Sequence, residues 1–588
     1  MSKVKTEWDL KKYYYDSLQD ERIAEGINSD LSDLELFVEK YKGNIASLND
    51  EDFLAYMNDS EKLLKNLTKV HYFYSYLNTL DTQDQEVIKK SGELSNIWAD
   101  ASQKLLFIDE EYKNIGYSKF IERSEMEMFS DYKNALFNSA DNLKYILTEG
   151  QENNLIEMGK VISIFDDMYT ELTNSFDFVI DGEPKTKSEV YAMRMSKDES
   201  EREKATNALL DKYGEHQIVL GNLYKSVCKE NVASVNIRKM EGVMSSRNIS
   251  EEMDNDVVNT LLDSVKAKYS LYHAHLKNKA RIMGKDKLEM HDVFAPIESS
   301  AKSDFTFEEG YEFYMDKIKG FDQEFYEYSQ KIFEDGRVSV FPKKGKMGGA
   351  YASYNKDKES FVMLNHVPDF NSIMTLAHEL GHAIHGWYSQ EQKGSVYHSP
   401  LSLAETASIF NETFVFEEML KGLPEEDVEF YIMKNLDDIF STMFRQVMYV
   451  DFERECHTRT LNGEELSYED FNAIWLEKTK EYYGENVNVT DNAKYGWSVI
   501  PHIFHTPFYC YSYSFGNILS FNLYKMYKDA DNKEEFIEMY KSILKAGGSK
   551  RPKDLLIEKG IDITSVDFYN KAFEVVEAFI EQVGKQRV

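Results

Sequence analysis

Apolar residues recur three and four apart along most of the chain, and that period predicts helices. In "SDLSDLELFVEKYKGNIASL", Leu34, Leu36, Phe37 and Tyr41 keep it. "NDEDFLAYMNDSEKLLKNLTKVHYFYSYLN" continues it, with Asn49 and Asp50 as capping residues in front. Residues 131–150 read the same way. One early stretch breaks the pattern. In "SFDFVIDGEPKTKSEVYAM", Phe176, Phe178 and Ile180 alternate into Asp181-Gly182, which predicts a β-hairpin at about 175–187. Helical spacing resumes from about 198 to 280. At 336–366, "GRVSVFPKKGKMGGAYASYNKDKESFVMLNH" turns Gly-rich, with β-branched and aromatic patches, and predicts two or three short strands. Helical spacing then returns and runs to the end. Neither a repeat nor a low-complexity linker marks a boundary. The cut is placed near 200, where the charged run "SKDESEREK" opens a helix: an N-terminal helical domain over 1–200 and a second domain over 201–588.

Composition changes this picture little. A chain of 588 residues is long for one core and suggests two to four structural units. With only 9 Pro and unenriched Gly, long helices are favoured over a barrel or sandwich built on tight turns. Charge narrows the partners. A formal net charge of -34 repels nucleic-acid phosphates and anionic membranes, so neither is an expected partner. No apolar run approaches a membrane span. The opening "MSKVKTEWDLKKYYYD" lacks the apolar core of a signal peptide, so a cytoplasmic protein is expected. Cys228, Cys456 and Cys510 are isolated, without metal-type spacing, and read as reduced thiols.

The chemistry gathers in "TLAHELGHAIHGW", Thr375 to Trp387. On a helix over 371–387, Ile373, Leu376, Ala377, Leu380, Ile384 and Trp387 form one apolar stripe, and Asn371 is the expected cap. His378 and His382 lie one turn apart and project together, so both can bind one zinc ion. Glu379 sits about 100° round the helix, beside such a metal and free to take a proton from its water. This His-Glu-x-x-His pattern is expected by chance roughly 0.03 times in a chain of this composition. A third protein ligand is needed. His385 lies about 10.5 Å along the axis from His378, too far for one ion to take all three histidines, and is expected to pack nearby instead. In "SLAETASIFNETFVF", Glu405, Ser408 and Glu412 share a polar face. A carboxylate from a helix crossing the first completes a His-His-Glu set, while Glu412, two turns past Glu405, is placed to orient a ligand histidine from behind.

"HELGHAIH" followed by "AETASIFNE" resembles the thimet oligopeptidase and oligoendopeptidase F family of zinc metallopeptidases, nearer to the oligoendopeptidase F branch. "HDVFAPI" at 291–297, "GKMGGAYASY", "SFVMLNH" and "PHIFHTPFYCYSYSFG" at 501–516 extend the resemblance over about residues 200–588, and more loosely over the N-terminal helices. The resemblance implies a mainly α fold, with two helical lobes flanking a deep channel and a small sheet beside the zinc helix. It implies one zinc per chain on His378, His382 and Glu405, Glu379 as general base, and short unfolded peptides cut at internal bonds. It also implies a histidine and tyrosines that hydrogen-bond the substrate carbonyl. The nearest matches are His502 and Tyr513, with Tyr509 a further contact and His505 the second candidate for the histidine.

Two readings of local structure accompany these roles. Thr506-Pro507 reads as a helix start, which puts Tyr509 and Tyr513 on one face and turns Tyr511 toward a core. Gly348 and Gly349 carry no side chains, so a substrate backbone can approach the sheet there. Ser360–Asn365 is the expected edge strand for it. The alternative activity is an exopeptidase, either a carboxypeptidase or a dipeptidase, which would need a closed cleft end. A non-catalytic peptide binder would be expected to lack the glutamate or a ligand, and all four residues are present. The oligomeric state is left open.

Overall fold

The structure is a computed structural model that describes residues 4–297, 305–356 and 359–585. It is helical throughout, with three small sheets among the described residues. The first long helices are Glu21–Tyr41, Asp50–Ser60, Lys65–Leu80 and Gln85–Lys104. Leu34, Phe37 and Tyr41 face inward, but Leu36 points out at 63% exposure, because the stripe follows the spacings of three and four that skip it. The Asn49 side chain accepts the Asp52 N–H at 2.9 Å and caps its helix. Residues 131–150 do not form one helix. Lys133–Asn142 is helical, and the next long helix, Glu149–Asn174, begins after a break.

The hairpin forms as expected. Phe178–Ile180 pairs antiparallel with Glu183–Lys185, and Asp181 and Gly182 both take positive φ, 52° and 83°, as a two-residue primed turn demands. Phe178 and Ile180 are buried while Val179 is 64% exposed. Asp198 caps the helix Glu199–Glu215 at the charged run.

Packing divides into three cores. Two smaller ones draw on residues between Leu10 and Ala140, with Phe361 added to one of them. The large one runs from Tyr169 to Val583. Phe361 is the link, since it lies among Trp8, Tyr14 and Tyr76. The Trp8 indole also donates to the carbonyls of Arg337 and Val362, tying the chain start to the sheet.

That sheet beside the motif has the order Val338–Ser339, Phe361–Met363, Tyr351–Ser353. The first pair is parallel and the second antiparallel. Ser360–Asn365 therefore contains the central strand and not the edge. All three strand residues, Phe361, Val362 and Met363, are fully buried, as a strand covered on both faces and both sides requires. The edges are Val338–Ser339, which is buried, and Tyr351–Ser353, which stays half-buried.

The motif helix is Phe370–Tyr388. Its cap is Asp369 and not Asn371: the Asp369 carboxylate accepts the Ser372 N–H at 2.7 Å from an extended backbone, so the helix begins one residue before the expected cap. The carboxylate helix, Thr406–Leu420, crosses it in direct backbone contact. A Cβ on Gly381 would lie 2.5 Å from the Ala407 carbonyl oxygen and 2.6 Å from Ser408 Cα. Only glycine permits that approach.

Candidate active site

The crossing brings three donors together. His378 Nε2 and His382 Nε2 each lie 3.4 Å from Glu405 Oε2. The two imidazole rings are 4.9 Å apart and nearly perpendicular. A tetrahedral ion at about 2.1 Å from each donor separates its ligands by about 3.4 Å, so the set has the spacing that zinc coordination requires. Among the described residues, Glu199, His291 and Asp292 form the one other group of this kind. It already serves as an ion-pair centre, since Asp292 receives Arg202 at 2.8 Å and Lys285 at 2.6 Å.

Glu412 approaches His378 from behind, with Oε2 3.0 Å from Nδ1. Burial opposes charge on His378, but hydrogen bonds to Glu405 and Glu412 hold it well above its usual value. Burial likewise opposes charge on Glu405, and the two histidines hold it well below the usual carboxylate range. Glu379 is buried, its Oε2 has no partner, and burial pushes its carboxyl up against the pull of both histidines. The Ala352 N–H offsets part of that rise. Ala352 belongs to a sheet edge, so the free side of Tyr351–Ser353 faces the cleft. Along that approach Gly349 turns at φ +79°, Gly348 has open space around it, and Asn365 holds the loop by donating to the Met347 and Gly349 carbonyls at 2.8 Å. His385 is buried apart from the cluster and is pushed down to about 4 by burial and by His382.

The third wall comes from the helix Tyr511–Asp529, whose Gly516 packs on Glu405: a Cβ there would lie 2.7 Å from Glu405 Cβ. The helix does not begin at Thr506-Pro507. Thr506 ends the short helix His502–His505, and Phe508 turns at φ +62°. Long-range bonds hold that turn. An oxygen of the buried Glu453 carboxyl accepts the Phe508 N–H at 2.8 Å, and the Arg247 guanidinium donates to the Pro507 carbonyl at 3.4 Å. Tyr509 thus precedes the helix, yet its ring meets that of Tyr513 at 5.0 Å, edge to face. His502 stacks on Tyr509 at 6.0 Å and lies edge-on to Tyr513 at 6.2 Å. His505 is exposed, and its Nε2 meets Thr170 Oγ1 at 3.2 Å. Tyr511 is fully buried.

Two neighbours escaped the sequence reading. The Tyr354 ring packs against Gly386 of the motif helix, and its hydroxyl is pushed up to about 12 by burial and by Glu405. Asp438 is pushed up to about 7 by burial, Glu412 and Asp437. Neither lies in a spacing pattern that marks it.

The description "Peptidase family M3" matches residues 192–575, which takes in every element of this site. The chain belongs to peptidase family M3. It is a metallo-oligopeptidase by that membership. Among relatives, it is 24% identical over 92% of its length, and 82% of theirs, to Oligopeptidase PepF of Bacillus subtilis. It is 26% identical over 88% of its length to Group B oligopeptidase PepB of Streptococcus agalactiae, covering 87% of that chain. The fold matches oligoendopeptidase-F from Enterococcus faecium with a TM-score of 0.73, at 20% identity over 96% of this chain and 98% of that one. No described helix is long and apolar enough to cross a membrane.

Proposed function

We propose that this M3 peptidase is a zinc-dependent oligoendopeptidase that cuts internal bonds of short unfolded peptides. The observation that carries the reading is the convergence of His378, His382 and Glu405 at 3.4 Å, beside a buried Glu379 with an orphaned oxygen. Those three residues would hold the zinc, which supplies a Lewis acid and an acidified water when bound. Glu412, 3.0 Å from His378 Nδ1, orients the ring and leaves Nε2 free to serve as a ligand.

Glu379 takes the water's proton and passes it to the departing amine. A carboxyl raised by burial suits that task, because its proton affinity lies nearer to neutrality. The free edge of Tyr351–Ser353 pairs with the substrate backbone, and Gly348 and Gly349 leave room for it. Tyr513, with His502 and Tyr509 around it, donates to the oxygen on which charge develops. Backbone pairing reads no side chain, which fits a broad peptide substrate range. The acidic surface and the three free buried cysteines fit a cytoplasmic enzyme without nucleic-acid or membrane partners.

The test uses one fluorogenic peptide blocked at both ends. Cleavage should stop with o-phenanthroline and return with zinc. Glu379→Gln should keep about one zinc per chain and lose turnover by at least about a hundredfold. Full activity in metal-free protein would end the zinc reading. Cleavage restricted to peptides with a free end would give the activity to an exopeptidase instead.

A further inference from the structure

His502 also lines a cavity of about 560 Å³. Its walls come from segments far apart in the chain, and two of its lining residues are Arg194 and Arg445. Both guanidinium groups lie over the same ring, that of Phe294 in the "HDVFAPI" segment, at 4.7 and 5.3 Å. Two like charges share this platform, and among the described residues no carboxylate lies within ion-pair distance of either. The Nε atoms of both are buried without a partner, and the one hydrogen bond of the Arg445 group goes to the Ser441 hydroxyl. Asp437 and Asp438 stand on the same wall, but Asp437 is taken by His275 and Lys279 at 2.7 Å each, and Asp438, though it feels the charge of Arg445, forms no ion pair with either arginine.

This is contrary to what the composition favours. With 103 acidic side chains against 69 basic ones, a cation rarely lacks a partner by scarcity of anions. Both side chains are half-buried, with unpartnered Nε atoms sealed inside and the rest of each fork left to the cavity, so the pair marks a place where an anion can be supplied from outside. The backbone beside it is also irregular. Phe440–Phe444 is a π-helical stretch that ends at Arg445, and such stretches are rare and concentrate at functional sites. Two residues before Phe294, Asp292 is anchored by Arg202 and Lys285, and its carbonyl accepts the Ala295 N–H at 2.9 Å, so the segment that carries the ring is fixed on both sides. The platform is therefore built before any ligand arrives.

Two of its lining residues connect the cavity with the peptide site. His502 lines it and stacks on Tyr509 of the tyrosine wall. Asp438 lines it too and feels the charge of Glu412, the partner of His378. We propose that Arg194 and Arg445 form a carboxylate-binding subsite of this peptidase, taking a carboxylate of the substrate peptide across the face they share on Phe294. The inference rests on the peptidase reading. Planar guanidinium forks suit a carboxylate, whether it is the peptide's own C-terminus or an Asp or Glu side chain. An otherwise acidic protein would repel either group, and this pair reverses the local sign.

The test compares three peptides with one core sequence: one ending in a free carboxylate, one ending in an amide, and an amide carrying one glutamate near its end. Binding of dye-labelled peptides to zinc-loaded Glu379→Gln protein is read by fluorescence anisotropy, and cleavage by zinc-loaded wild type in parallel. At least one acidic peptide should bind roughly ten- to a hundredfold tighter than the neutral amide, the range for charge-assisted bonds to a carboxylate. Tight binding of the free acid alone assigns the subsite to the C-terminus, and of the glutamate amide alone to a side chain.

Arg194→Gln and Arg445→Gln, each placed in the Glu379→Gln background, should bring the ratio near one while binding of the neutral amide stays within about twofold. Arg445→Lys should restore part of the preference, which a merely structural role would not do. Equal binding of all three peptides overturns the proposal, as does a preference that survives both glutamine variants. A preference lost with the arginines but no cleavage by wild type would leave the subsite standing and remove the peptidase reading.

Discussion

Gly381→Ala tests how the metal donors are brought together. The added Cβ would meet backbone, 2.5 Å from the Ala407 oxygen, 2.6 Å from Ser408 Cα and 2.8 Å from the Ala407 carbonyl carbon. Ordinary contact begins at 3.4 Å, so the two helices must part by about 0.9 Å at the crossing. No flexible side chain is there to yield. The motif helix is bound to its neighbour a second time, by the Asn411 amide on the Ala377 carbonyl at 2.6 Å, so part of the shift becomes strain. Overpacking of this kind costs about 1–3 kcal/mol. The larger effect is on geometry. Glu405 and the histidines sit on opposite sides of the crossing at 3.4 Å. Opening of even half of that 0.9 Å exceeds the tolerance of about 0.2 Å on a ligand bond. The variant should melt lower, keep its helical circular dichroism, and bind zinc at least about a hundredfold more weakly in a competition titration against a chelating dye. A variant with wild-type zinc affinity and an unchanged melt would refute the argument that glycine at 381 sets the donor spacing.

Glu405→Ala should lose zinc and activity together, whereas Glu412→Ala should keep the ion with affinity reduced by about 10–100-fold; atomic absorption after dialysis distinguishes them, and the reverse order would reassign the ligand. Tyr513→Phe should lower turnover by roughly 10²–10³ with little change in Michaelis constant, and Tyr511→Phe, deep in the core, should be much milder in the same assay. Glu453 is pushed up to about 8 by burial from an ordinary value of 4.5, so the folded protein keeps a proton that the unfolded chain has lost between those values. Its contribution to stability is therefore present at acid pH and declines as pH rises toward about 8. Denaturant melts of wild type and Glu453→Gln should accordingly shift in favour of the variant between pH 5 and pH 8, and a difference independent of pH would contradict the assignment.

Local patterns made much of this protein legible in its sequence. Helix caps, primed turns and a His-Glu-x-x-His repeat depend on atoms a few residues apart, so the Asn49 cap, the Asp181-Gly182 hairpin and the pairing of His378 with His382 follow from spacing alone. Three readings failed, two of them because distant partners intervene and one for a local reason. Ser360–Asn365 looked like an edge, but Val338–Ser339 pairs with its core on one side and Tyr351–Ser353 on the other. Thr506-Pro507 looked like a helix start, but Glu453 and Arg247, more than 50 and 250 residues away in the chain, bind the backbone there into a turn. Asn371 looked like a cap, but the extended backbone at Asp369 places a better acceptor. The meeting of Arg194, Phe294 and Arg445 belongs with the first two. No period or spacing relates residues 100 and 151 apart, and only the packed fold sets two unpaired cations on one ring. Sequence by itself determined the helical class, the metal motif and the family. Tertiary structure alone decided which strand edge faces the cleft, how the tyrosine wall turns, and where a charge is left without a partner, because each of these is settled by contacts between segments that meet only when the chain has folded.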